Sequence, residues 1–188
     1  MAHTDTSEKG LENLIVESLV NDAGYVGGNA ADFDRDHALD WPTLLGFLST
    51  TQPEKVAKLD LDTDGPKRTK FLARLTGEIA KRGVVDVLRR GVSDGPVSLD
   101  LFYGTPHPGN AAAVEKYTRN VFTVARQVRY SPVETTNSLD VVIFINGLPV
   151  ATFELKNRLT KQTVFDAVQQ YKNDRDPRER LFEFGRCL

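Results

Sequence analysis

The sequence predicts an α/β chain with a helical first half and a strand-rich second half. Apolar residues recur at helical spacing through residues 67–90. Residues 121–130 alternate β-branched and polar side chains, as a half-buried strand does. Residues 139–145 then form a run that is continuously apolar after Asp140, followed at once by Asn146-Gly147, the strongest short hairpin signal in the chain.

The elements follow in order. Residues 1–10 are polar and read as a flexible N-terminus, and residues 11–188 read as one domain. Leu11, Leu14, Ile15 and Leu19 set the apolar side of a first helix, which Asn21-Asp22-Ala23-Gly24 ends. Residues 25–38, rich in Gly and Asp, read as an ordered loop. Trp41-Pro42 opens a short helix through Leu44, Leu45 and Leu48, and Pro53 suits the first turn of another. An acidic linker, 60–66, leads into the helical stretch 67–90, where Gly83 is placed to break it in two. These helices make an insertion over about 40–92. Residues 96–103 look extended, 111–119 helical, and 121–130, 139–145 and 148–156 are strands. Val164, Ala167, Val168 and Tyr171 mark one face of a later helix. Residues 181–184 look like the start of a further strand, so the chain reads as a C-terminally truncated fragment of a longer subunit.

Composition narrows the function classes. Hydrophobic residues are 40% and charged residues 27%, which excludes a wholly disordered chain. No apolar run approaches the roughly 18 residues of a membrane span, and the start MAHTDTSEKG lacks a secretory signal. One cysteine, Cys187, excludes an internal disulfide framework, and a cytoplasmic protein is expected. Lys+Arg is 24 and Asp+Glu is 26, a net charge of −2, so any nucleic-acid contact would rest on a local basic stripe.

The chemistry sits on the hairpin. Its first arm begins with Asp140 and its second ends Thr152-Phe153-Glu154-Leu155-Lys156. Alternation puts Thr152, Glu154 and Lys156 on one face, and Ala151, Phe153 and Leu155 on a face expected to be plain core. Two carboxylates and a lysine at the end of a buried hairpin can hold a hard divalent cation and a water.

Asp140, the turn Asn146-Gly147-Leu148-Pro149 and Glu154-Leu155-Lys156-Asn157 together resemble the PD-(D/E)xK nuclease motif. This version is similar to the N-terminal nuclease region of type I restriction enzyme R subunits. The segment Asp166-Ala167-Val168-Gln169-Gln170-Tyr171, the run Arg175-Asp176-Pro177-Arg178 and the helical first half with Gly24-Tyr25 resemble the same family. The resemblance implies a mixed β-sheet flanked by helices and Mg²⁺-dependent cleavage of double-stranded DNA, leaving a 5′ phosphate. It also implies partnership with specificity and methyltransferase subunits. Asp140 and Glu154 would bind the metal, the Leu155 carbonyl is a candidate third ligand, and Lys156 would position the attacking water. Glu12 on the first helix, Gln170 and Tyr171 are candidate accessory residues. Many members carry Q-x-x-x-Y in the following helix, whereas here Ala167 stands four before Tyr171, and Leu139 stands where the motif's name has proline. ATP would serve only a motor region, and no G-x-x-x-x-G-K-[ST] occurs in this chain.

Arg126, Arg129 and Tyr130 are candidates for DNA phosphate contact. The basic helical region Lys67, Arg68, Lys70, Arg74, Lys81, Arg82, Arg89 and Arg90 reads first as a solvated face, with a track for DNA phosphate as the alternative. Glu17 reads the same way, and His3, His37 and His107 as surface histidines. Two rival functions remain open: a non-catalytic docking module that anchors the motor or a methyltransferase, and a same-fold nuclease acting on junctions or damaged DNA. Metal binding through Asp140 and Glu154 separates the first rival from a nuclease.

One geometric condition follows. A regular hairpin with a two-residue loop pairs Ile145 with Leu148, and so Asp140 with Phe153, which turns Glu154 to the other face. A shared metal therefore requires an irregularity: a three-residue loop with a left-handed Gly147, or a bulge farther along an arm, for instance near Pro149.

Overall fold

The structure is a computed structural model that describes residues 7–107, 109–155, 168–169, 176, 178–183 and 186–187. Ser7 caps the first helix, α1 (Glu8–Asp22), by accepting from the Gly10 N–H at 3.0 Å. The short strands β1 (Val26–Gly27), β2 (Phe33–Asp34) and β3 (Leu39–Asp40) follow, with a 3-10 turn at Ala30–Asp32. Four helices come next: α2 (Trp41–Thr51), α3 (Pro53–Leu59), α4 (Pro66–Arg82) and α5 (Val84–Arg90). Pro42, Pro53 and Pro66 each lie in a first turn, where the missing N–H costs no helical bond. Gly83, at φ +82°, separates α4 from α5 as its position suggests.

The hairpin of β4 (Val92–Asp94) and β5 (Val97–Leu99) and helix α6 (Ala111–Thr118) lead into three long strands. These are β6 (Phe122–Arg129), β7 (Ser138–Ile145) and β8 (Leu148–Phe153). The main sheet has the order β1-β6-β7-β8, with β1 parallel to β6 and the other neighbours antiparallel. A mixed sheet flanked by helices is thus the observed architecture.

Two buried clusters hold the sheet. The larger joins Leu44, Leu48, Phe71, Leu75, Ile79 and Val87 of the helices to Leu148 of the hairpin. The smaller gathers Phe33, Ala125, Val128, Tyr130, Leu139, Val142, Phe144 and Leu181. The hairpin turn is locked between them. Asn146 (φ +50°) and Gly147 (φ +82°) give the two left-handed residues that match strand twist, and Ile145 pairs with Leu148. The fully buried Asn146 side chain donates to the Leu101 carbonyl at 2.9 Å and to Asn120 Oδ1 at 3.0 Å, and it accepts from the Val121 N–H at 2.6 Å. The Asp40 N–H donates to the Gly147 carbonyl at 2.8 Å.

Four expectations are corrected. In residues 96–103 only Val97–Leu99 forms a strand. The start of a strand at 181–184 is instead a 3-10 turn, Arg180–Phe182, closed by the Phe182 N–H donating to the Glu179 carbonyl. That tight turn packs Leu181 and Phe182 on Tyr130. On β8, Phe153 is 40% exposed rather than core: it ends the strand, and among the described residues β8 is the last strand of the sheet. The apolar side of α1 is also turned outward: Leu11 and Leu14 are exposed while Glu12 is buried. Polar bonds from β6, described next, draw that side of the helix onto the sheet.

Candidate functional site

The site is built on an irregular ladder. Between β7 and β8, Phe144 pairs with Pro149 but Ile143 pairs with Ala151, so Val150 is an extra residue, a β-bulge. Proline cannot donate to a ladder and is at home beside a bulge. Past the bulge Val142 pairs with Thr152 and Val141 with Phe153. Continued one step past the end of β8, this register would set Asp140 opposite Glu154. The turn keeps its two-residue loop, and the irregularity that a shared face requires lies next to Pro149.

Asp140 is half-buried and held at both oxygens. Its Oδ2 accepts from the Leu155 N–H at 2.6 Å, which wraps the end of the second arm around the carboxylate. Its Oδ1 accepts from Gln127 Nε2 at 3.2 Å. Glu154 and Leu155 are also half-buried. Lys156, Gln170 and Tyr171 lie outside the described residues.

A third carboxylate comes from α1. Glu12, 6% exposed, accepts from the same Gln127 Nε2 at 2.9 Å. Next to it, Arg126 donates to Asn13 Oδ1. These bonds explain why α1 turns Glu12 rather than its leucines to the sheet. Lys9, Glu12, Gly28, Asn29, Ala30, Arg126 and Gln127 line an open cleft of about 520 Å³. Arg126 and Arg129 are exposed, as a phosphate contact needs. Tyr130 is not at the surface with them: it is 2% exposed, its ring 4.9 Å from that of Phe182.

The donors that the motif resemblance names, the Asp140 and Glu154 carboxylates and the Leu155 carbonyl, would all be oxygen. Among the described residues, no three His, Cys, Asp or Glu side chains converge as a metal-binding group. A closed protein cage is therefore absent there, whereas one or two carboxylates, completed by water and phosphate, are what Mg²⁺ ordinarily takes. The residues fit that ion.

The remaining candidates fall elsewhere. Glu17 is exposed, and His37 is half-buried with its ring 2.7 Å from Asp34. On the basic helices, Lys67 pairs with Asp60, Arg68 with Asp64, Arg90 with Asp86, and Arg82 with both Glu78 and Asp86. Much of that charge is balanced within the chain. Gln127 and its partner Ser138, which donates to Gln127 Oε1 at 3.0 Å, were not foreseen. A polar residue in a half-buried strand looks like any solvated position, and nothing in one sequence gives the pairing of β6 with β7.

The family model for the N terminus of the type I restriction enzyme R protein matches residues 5–188. The chain belongs to this family. Among curated proteins, this R-protein N-terminal chain is similar to the putative type I restriction enzyme MjaIXP endonuclease subunit of Methanocaldococcus jannaschii. The two are 32% identical over 77 residues, covering 39% of this chain and 7% of that subunit. The chain thus spans only a small part of the length of that relative. No solved structure matches this R-protein N-terminal chain.

Proposed function

We propose that this chain is the Mg²⁺-dependent endonuclease domain of a type I restriction system, hydrolysing phosphodiester bonds of double-stranded DNA. One observation supports the reading: the bulge at Val150 shifts the ladder so that its continuation past Val141 and Phe153 would set Asp140 opposite Glu154, where a regular hairpin would separate them. Membership of the R-protein family and the similarity to a subunit named as an endonuclease support it.

The ion, when bound, supplies a more acidic water and offsets charge on the phosphoryl oxygen. Asp140 and Glu154 hold it through their carboxylates. Gln127 and the Leu155 N–H fix the Asp140 carboxylate from two sides. Arg126 and Arg129 sit at the surface to meet backbone phosphate. Lys156 keeps the role that the motif resemblance gives it, orienting the attacking water. Specificity and methyltransferase subunits are the partners of this reading, and the cytoplasm its compartment. No described helix is long and apolar enough to cross a membrane.

The test is plasmid cleavage by the subunit that carries this chain, alongside calorimetric titration with Mn²⁺. Asp140→Ala and Glu154→Ala are expected to lower cleavage by about 10³-fold or more and to weaken metal binding. Lys156→Ala is expected to lose activity but keep the metal. Wild-type cleavage by either carboxylate variant refutes the assignment.

A further inference from the structure

We propose that Gln127 is a positioning residue of this site, its side-chain amide clamping the carboxylates of Asp140 and Glu12 and so tying α1 to the metal-binding strand pair. The proposal rests on the nuclease reading above and adds a residue that the motif does not contain.

The backbone gives the first argument. Among the described residues, four non-glycine residues have positive φ: Ala38, Asp60, Gln127 and Asn146. Asp60 caps the C-terminus of α3, Asn146 makes the hairpin turn and Ala38 leads into β3. Gln127, at φ +52°, lies inside the eight-residue strand β6, where no turn or cap calls for it. A left-handed residue in mid-strand is strained, and such strain persists where the surroundings over-determine it, often at a functional site. Arg126 pairs with Val141 and Val128 with Leu139, which leaves Gln127 directly opposite Asp140.

Hydrogen bonding gives the second. Nε2 donates to Glu12 Oε1 at 2.9 Å and to Asp140 Oδ1 at 3.2 Å, and Oε1 accepts from the Ser138 hydroxyl at 3.0 Å. Both amide hydrogens are therefore spent on carboxylates. The opposite amide orientation would aim an acceptor at both of them. The two carboxylate oxygens lie no farther apart than the sum of the two bonds, 6.1 Å, so a neutral double donor stands where two like charges would otherwise face each other. A carboxylate has about four lone-pair sites. Gln127 and the Leu155 N–H take two from Asp140 and leave the others for a cation.

Exposure gives the third. Gln127 is an exposed residue on the wall of the cleft with Lys9, Glu12 and Arg126. It is not a buried polar group that needs partners merely to fold.

The experiment compares the wild-type chain with Gln127→Ala, Gln127→Asn and Asp140→Asn. It measures Mn²⁺ affinity by calorimetry and melting temperature in chelator by circular dichroism. Asparagine tolerates a left-handed backbone but is one methylene too short for the clamp. Outer-shell partners of a ligand typically contribute 10–100-fold to metal affinity. Both Gln127 variants should therefore bind Mn²⁺ at least about tenfold more weakly, and Gln127→Asn, which keeps the left-handed backbone, should lose less metal-free melting temperature than Gln127→Ala. In cleavage assays their half-saturating metal concentration should rise by a similar factor. If Asp140→Asn loses the ion and the Gln127 variants bind it like the wild type, the positioning role is wrong and the nuclease reading stands. If Asp140→Asn binds Mn²⁺ like the wild type, the nuclease reading fails and this proposal with it.

Discussion

The turn that sets the hairpin register is wedged against the helical unit, and Gly147→Ala tests how firmly. A Cβ added at Gly147 would overlap the Asp40 carbonyl oxygen and stand 2.7 Å from the Leu44 nitrogen. Both are backbone atoms at the start of α2, so no side chain can swing aside. The residue also sits at φ +82°. A left-handed conformation costs an L-residue about 1–2 kcal/mol. Forced overpacking adds roughly 1–3 kcal/mol. The combined loss of about 2–5 kcal/mol corresponds to a fall in melting temperature of at least about 4 °C for a chain of this size. Gly77 is the control. It is exposed inside α4 with nothing within 4 Å of a built Cβ, so Gly77→Ala should gain about 0.5–1 kcal/mol and melt slightly higher. Thermal unfolding followed by circular dichroism reads both. A Gly147→Ala protein melting within about 2 °C of the wild type would show that the turn is not wedged against α2 in this way.

Asn146→Ala removes three bonds from a fully buried amide and leaves their partners unsatisfied. Urea denaturation should show a loss of about 2–4 kcal/mol with little change in m, and a loss under about 1 kcal/mol would contradict it. Asp40 caps α2 by accepting from the Thr43 N–H at 2.9 Å, yet burial raises its pKa above the ordinary 3.8. A raised folded-state pKa means that the native state binds the extra proton, so this group's contribution falls as pH rises through that value. Asp40→Asn keeps a capping side chain and removes the titration. Its stability relative to wild type should therefore improve between about pH 4 and pH 7, and a flat or opposite difference in melting temperature defeats the reasoning.

Much of this architecture is legible residue by residue. Gly83 divides α4 from α5, Asn146-Gly147 turns β7 into β8, and the alternation over 121–130 becomes β6. These signals are local: a backbone that only glycine accepts easily, or a period that one face of an element imposes. Tertiary choices are less visible. The spacing of Leu11 and Leu14 marks a helix correctly but misassigns its inner side, because polar bonds from Gln127 and Arg126 to Glu12 and Asn13 decide which side docks. Leu181 and Phe182 carry apolar character that a strand or a tight turn can bury equally well, and the Tyr130 ring selects the turn. Of the candidate site, Asp140 and Glu154 stand out by type and spacing, and Glu12 only by the family resemblance. Gln127 does not, since its meaning depends on a cross-strand neighbour 13 positions away.

The bulge at Val150 also has an arithmetic. Residues directly opposed across a two-residue turn are always an odd number of positions apart, as Ile145 and Leu148 are. Asp140 and Glu154 are 14 apart, an even count, so one unpaired residue must be absorbed between them. Removing Val150 would make the count odd and leave the arms regular, with the same two carboxylates still opposed. Removing a residue from between the bulge and Glu154 would instead leave the bulge in place and turn the glutamate away. Among relatives, the spacing between these acids should therefore change only in step with bulges or turn length. A single deletion is neutral at the bulge and ruinous between the bulge and either acid.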